Sequence, residues 1–302
     1  MALSTQFKKP LWKAVSLMIL AVFFISVMNA CAKLSSDKHS IIEIVFYRGL
    51  ISLICLTVWM VTRKDFHLLK TKRPLAHLGR STIGTVGAAF VYWAYSLMPM
   101  GDVAVLLLTS SLFVTILSVP LLGETVGVWR WGAVVIGFIG AAFVGNPFTH
   151  HFSLYGFGVA MMAAFTVSMV YIFLSKLGRT ESSFTTVFYF SLTSTIVSGL
   201  YVIFEGRLPD PDVYLPLIGT GVASLLSLLL KAEAYKFADA SFLSPIDYMN
   251  LIWSIIFGFM IWGDLPTWSM MIGAALIIGS NILIIWREHI QRRKHIESPL
   301  VN

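Results

Sequence analysis

Residues 41–60 read IIEIVFYRGLISLICLTVWM, an apolar run that holds Glu43 and Arg48. A charge placed in hydrocarbon costs about 2.5–3.5 kcal/mol even on a lenient insertion scale. A chain keeps such groups to pair them, to hold a charged solute or to move a proton. On a helix the two side chains point about 140° apart and lie about 7.5 Å apart along the axis. They are therefore not an i,i+4 pair, and each needs its own surroundings. Glu43 sits near the end of the run, where it is expected to reach water. Arg48 is deeper and shares a face with Ser52, Cys55 and Trp59. Two readings stand for it: it fixes helix packing through backbone carbonyls or Glu43, or it lines a cavity and meets an anionic group.

Further along, Ser224, Ser227, Lys231 and Tyr235 share one helical face. Lys231 reads either as a lysine that snorkels to the surface or as a cavity lysine. Asp247, Tyr248 and Ser254 share another face, with Asn250 at its edge. Glu43 and Asp247 are the candidate proton carriers, since a carboxylate in an apolar site can titrate near neutrality. Capping is the plainer role for Asp247. Tyr92 and Trp93, with Ser110 between Thr109 and Ser111, add rings and hydroxyls that suit a flat or amphipathic solute. Rings in apolar segments also serve as packing and interface anchors. The candidate solute-binding set is Arg48, Tyr92, Trp93, Ser110, Ser227, Lys231, Tyr248 and Asn250.

Enzyme chemistry is not expected. The sequence has no nucleophile elbow, paired-histidine zinc motif or phosphate loop. The seven histidines are read as lying in loops and tails, and Cys31 and Cys55 lack metal-ligand spacing. No catalytic residue, metal or cofactor is assigned.

The elements that must position these residues follow from composition. Of 302 residues, 57% are hydrophobic and 12% charged, about half the charge of a soluble domain. The apolar residues gather in ten segments, near 11–33, 40–62, 75–97, 102–122, 127–145, 154–176, 184–204, 213–236, 241–262 and 266–286. Each approaches the roughly 20 residues a helix needs to cross a bilayer. Lys and Arg cluster on alternate connections, as at Arg63, Lys64, Lys70, Lys72 and Arg73, and in the C-terminal tail. Basic loops stay cytoplasmic, so ten spans with both termini inside are expected. The +7 net charge is then a topology signal, and no nucleic-acid partner is implied. The N-terminal segment has the basic start and apolar centre of a signal peptide, but an internal repeat gives it a counterpart deeper in the chain.

That repeat pairs AYSLMPMGDVAVLLLTSSLFVTILSVPLLGET, from Ala94, with AYKFADASFLSPIDYMNLIWSIIFGFMIWGDL, from Ala234, an offset of 140. VFY at 45–47 meets VFY at 187–189, and AKL at 32–34 meets SKL at 175–177. The order and nearly constant offset argue for two copies of five helices. Five is odd, so the copies should be inverted, the construction of secondary transporters with a site near mid-membrane. Gly123-Glu124 and Gly263-Asp264 close corresponding segments, with the acids expected to cap the following helices. The small-residue stripes GAVVIGFIG (132–140) and GAALIIGS (273–280) suit close helix contact, within the chain or in a homodimer.

On these repeat motifs the sequence resembles the EamA branch of the drug/metabolite transporter superfamily over about residues 11–287. The resemblance implies a central cavity, with the fifth and tenth helices at the periphery. It also implies carriage of small organic metabolites, S-adenosylmethionine among them. The expectation is an all-α polytopic membrane protein of ten transmembrane helices in two inverted five-helix repeats, 11–145 and 154–287, with a basic cytoplasmic tail, 288–302. The expected localisation is a bacterial inner membrane. The expected partners are the lipid bilayer and a small-molecule solute, amino-acid-like or otherwise carboxylate-bearing, with export preferred. Uptake of a nucleoside- or vitamin-like solute is the alternative, and a non-transporting scaffold the distant one.

Overall fold

A computed structural model describes residues 11–297 apart from 70, 72, 124–125, 146–152, 178–181, 207–208, 236 and 238–242. The described residues form helices, with no strand among them. In chain order the α-helices are α1 (Leu11–Ser36), α2 (Ile41–Arg63), α3 (Pro74–Leu97), α4 (Met100–Leu107), α5 (Ser110–Leu122) and α6 (Val128–Gly145). There follow α7 (Leu154–Leu177), α8 (Ser183–Glu205), α9 (Tyr214–Ala234), α10 (Met249–Phe257) and α11 (Trp268–Glu297). A 3₁₀ turn (Ser244–Tyr248) leads into α10 and a π turn (Gly258–Trp262) leaves it.

Eight of the helical stretches are long and apolar enough to cross a membrane. They are α1, α2, the α4–α5 pair, α6, α7, α8, α9 with its leading turn, and α11. Ile246–Trp262 is apolar but shorter, and α3, which carries His77 and Arg80, is not in that set. Ile54, Val58, Ile196, Ile203 and Phe204 point outward, while serines, threonines and the charges of interest are turned inward. That distribution suits a lipid surround and makes the chain a multi-pass integral membrane protein.

Local sequence explains the breaks. Ser40 opens α2 with a capping box: its side chain accepts from the Glu43 N–H, and the Glu43 carboxylate accepts from the Ser40 N–H. Gly123 and Gly263 end their helices in the left-handed region, at φ 70 and 72, where a residue without Cβ is favoured. The fourth apolar segment is interrupted between α4 and α5, although neither Gly nor Pro marks the place. There the Leu108 and Thr109 N–H groups bond three residues back, and the Thr109 hydroxyl donates to the Leu106 carbonyl at 2.6 Å. Asn281 of α11 donates to the Leu108 carbonyl at 3.4 Å. The corresponding stretch of the second half is irregular too, running 3₁₀, α, then π, and it packs on α4.

The packing repeats under exchange of the halves. α1 lies along α9 as α7 lies along α3. α2 meets both α8 and α9, and α8 meets both α2 and α3. α6 and α11 pair with each other, and the two glycine stripes face one another across that contact. A Cβ on Gly140 would lie 2.9 Å from the Gly273 carbonyl oxygen and 2.8 Å from Leu276 Cβ. The stripes therefore serve contact within the chain. α1 is also part of the fold, with Ala14, Met18, Ala21 and Val22 fully buried. The last helix runs through Arg287, Arg292 and Arg293 to Glu297, beyond the expected end at 286. Arg, Gln and Lys are good helix formers, and no Gly or Pro intervenes before Pro299.

Candidate functional site

Arg48 is the eighth residue of α2, about 10 Å along its axis at 1.5 Å per residue. It is buried, and its Nε donates to the Ser224 hydroxyl of α9 at 2.8 Å. Its guanidinium carbon lies 4.9 Å from the ring centroid of Phe190 on α8 and 5.9 Å from that of Tyr92 on α3. Such ring faces attract a cation, most strongly where water is excluded. Phe190 is also the residue that the VFY offset of 142 makes the counterpart of Arg48. A residue of the first half thus touches its counterpart in the second, so this contact lies where the halves meet. Close helix approach sustains it: a Cβ on Gly49 would lie 3.2 Å from the Thr195 nitrogen, and one on Gly221 2.5 Å from Ile51 Cβ. Ser52 donates to the Gly221 carbonyl at 3.0 Å, and Ser227 to the Ser224 carbonyl at 2.8 Å.

A second cation, Arg80 of α3, stands 4.6 Å from the centroid of the same Phe190 ring. It is 5% exposed, and its Nε and Nη1 are buried without a hydrogen-bond partner. Sequence reasoning passed over it. Seven residues into its helix and near a basic connection, it resembles the flanking arginines that set topology.

The other expected site residues fall into separate groups. Lys231 donates to both carboxylate oxygens of Asp247, at 2.8 and 3.0 Å, so each neutralises the other at one end of α9. Asn250 accepts from Ser26 of α1 at 2.7 Å and borders the Tyr95 hydroxyl with Ser254. Asn29 donates to that hydroxyl at 3.3 Å. Ser110 is buried at the start of α5. The neighbouring Ser111 hydroxyl lies 2.6 Å from Asn281 Oδ1, and Asn281 in turn faces the Tyr248 hydroxyl. Trp93 is half-exposed, stacked on Phe90 and edge-on to Tyr155 of α7. Of the eight expected binding residues, the structure brings Arg48 and Tyr92 together, with Ser227 one turn along α9 from Ser224.

Three expectations are corrected. Glu43 does not reach water: it is 4% exposed, 2.9 Å from His39 Nδ1 and committed to the capping box. His77 is not in a loop but buried in the first turn of α3, its ring 5.0 Å from that of Tyr189. Asp264 does not cap the next helix, because α11 begins at Trp268 and the Thr267 hydroxyl accepts from the Met270 N–H. Asp264 lies instead 3.9 Å from Lys33, whose Nζ donates to the Met98 carbonyl at 2.8 Å and sits over Trp262. Glu124, its counterpart, lies outside the described residues. In the exposed α1–α2 turn, Lys38 donates to Asp212 at 2.6 Å, and that bond raises its pKa above the ordinary lysine value. Among the described residues no group of three or more His, Cys, Asp or Glu could hold a metal.

The geometry is that of two helical units joined over a buried cation. The EamA-like transporter family model matches residues 12–146 and 154–286, nearly the whole chain in two copies. The chain belongs to the EamA-like transporter family. Family membership makes it a transporter and not an enzyme. A riboflavin transporter of Vibrio cholerae serotype O1 is 30% identical over 282 residues, 92% of this chain and 94% of its own length. An S-adenosylmethionine uptake transporter of Rickettsia conorii is 30% identical over 287 residues, covering 90% and 94%. A pseudopaline exporter of Pseudomonas aeruginosa is 25% identical over 272 residues, covering 89% and 95%. A solved structure shares the fold at a TM-score of 0.62 and 17% identity, covering 90% of this chain and 96% of its own.

Proposed function

We propose that this EamA-family protein is a secondary carrier of a small organic metabolite bearing an anionic group, working by alternating access in a bacterial inner membrane. The observation that carries this reading is Arg48, buried where the two halves meet and held, among the described residues, by the neutral Ser224, Phe190 and Tyr92. In the proposed topology all ten apolar segments cross, with both termini inside. Five crossings per half then set the repeats in opposite senses, with Arg48 near mid-membrane. The interrupted fourth helix of each half supports the reading, since broken helices at equivalent places point to a transporter's site. Residues 11–145 and 154–287 are the two moving units. Asp247, held by Lys231, is the proposed proton carrier, with Glu43 the second candidate.

Uptake of a nucleoside- or vitamin-like solute is the second reading. The relatives named for riboflavin transport and S-adenosylmethionine uptake favour it, and the relative named as an exporter favours the opposite direction. The test is metabolite profiling of cells with and without the protein, followed by counterflow in proteoliposomes for each compound that differs. A carboxylate-bearing compound should accumulate on one side, and Arg48→Leu should reduce its counterflow about tenfold or more, the loss expected when a charge-assisted contact is removed. Full counterflow by correctly inserted Arg48→Leu removes Arg48 from the site. Riboflavin or S-adenosylmethionine as the cargo selects the second reading, and no flux of any profiled compound removes the carrier reading.

A further inference from the structure

Arg80 is a buried cation that the charge pattern around it does not explain. Its guanidinium and that of Arg48 stand 4.6 and 4.9 Å from one Phe190 ring, reaching it from α3 and α2. Both arginines are buried, at 5% and 8% exposure. Neither forms a salt bridge among the described residues. The charged group that bears on Arg80 is Arg48 itself, which repels it. Arg48 spends its Nε on Ser224, while Arg80 holds Nε and Nη1 buried with nothing to donate to. A guanidinium does not shed its proton in a protein, so two positive charges remain. Leaving such donors unmade is costly. The planar fork of an arginine matches the paired oxygens of a carboxylate or phosphate.

We infer that Arg80 and Arg48 together form the anion-binding element of the carrier, and that the cargo presents a double negative charge there, as a phosphate monoester or a dicarboxylate. The inference rests on the carrier reading and narrows it. One carboxylate would neutralise one guanidinium and leave the other buried with its charge, whereas a dianion answers both. Both guanidinia lie within cation–π distance of the Phe190 ring. Ser224 and Phe190 come from the second half and both arginines from the first, so the element spans the contact between the halves. A dianion seated there would change how the halves attract one another, as alternating access requires.

Calorimetric titration of the full-length protein in detergent tests this at fixed ionic strength, with inorganic phosphate, malonate and acetate as probes. Phosphate or malonate should bind at least about tenfold more tightly than acetate, since only a dianion engages both forks. Arg80→Gln should weaken the dianion about tenfold or more while changing acetate by less than about threefold. Arg80→Lys, which keeps the charge and loses the fork, should fall between them. Tighter phosphate names the phosphate ester, and tighter malonate the dicarboxylate. Equal binding of all three probes, or no saturable binding of any, overturns the inference with the unaltered protein alone. Unchanged dianion affinity in a monodisperse Arg80→Gln variant does so too. Counterflow of the profiled cargo reports separately: flux of a monoanion or neutral solute that survives Arg80→Gln leaves the carrier standing and removes the dianion.

Discussion

At the scale of single residues, the charges divide into those with a partner and those without. Lys231 and Asp247 satisfy one another through two hydrogen bonds. Breaking a buried pair costs about 3–5 kcal/mol, and with a third of the Asp247 side chain exposed about 1–3 kcal/mol is expected here. Lys231→Met should lower thermal stability by that amount, and Lys231→Met with Asp247→Asn should recover more than half of it. Melting of the purified proteins checks this; a double variant no more stable than the single one would mean that the two do not act as a pair. The sequence exposed both residues as candidates. Their union was hidden, because sixteen positions and an irregular connection separate them and no helical wheel joins them. Arg48 stood out as a charge within an apolar run. Arg80 did not, because a basic residue close to a basic connection reads as a topology marker.

At the scale of elements, periodicity and length made most helices legible, and small residues made one contact legible. The stripes at 132–140 and 273–280 were visible as surfaces for close approach, and the structure sets them against each other between α6 and α11. A side chain at Gly140 would meet Leu276 Cβ and the Gly273 carbonyl, where backbone cannot give way as a flexible tip can. Gly140→Val is therefore expected to cost about 1–3 kcal/mol, in the range of overpacked cores. It should lower the melting temperature while leaving anion affinity at Arg48 nearly unchanged. An unaltered melt would show that α6 and α11 have room to separate. The interruption between α4 and α5 was not legible. Its cause is not a breaker residue but hydroxyls of Thr109 and Ser111 competing for nearby carbonyls, helped by Asn281 from a helix 170 positions away.

At the scale of the whole molecule, the repeat was readable from a few matched dipeptides because an offset maintained over the chain is hard to produce by chance. The sense of the two copies is open to direct measurement. Lys64 follows the second helix of the first half and Gly206 the second helix of the other half. In inverted copies these ends face opposite sides; in parallel copies they share one. In a chain carrying Cys31→Ala and Cys55→Ala, Gly206→Cys should react with an impermeant thiol reagent in intact cells. Lys64→Cys should react only after the membrane is opened. Equal labelling of both would overturn the inverted arrangement.

The meeting of Arg48 with Phe190 has a further implication for how such a molecule can diverge from a duplicated ancestor. Any position that faces its own counterpart is under a constraint: a cation on both sides repels unless an anion lies between. Identical halves would have set this arginine against its own copy, with Arg80 already beside it, and would have needed an anion to hold the seam. Loss of sameness between the halves is thus built into the place where they join. Exchanging the two occupants, Arg48→Phe with Phe190→Arg, should be tolerated far better than Phe190→Arg alone.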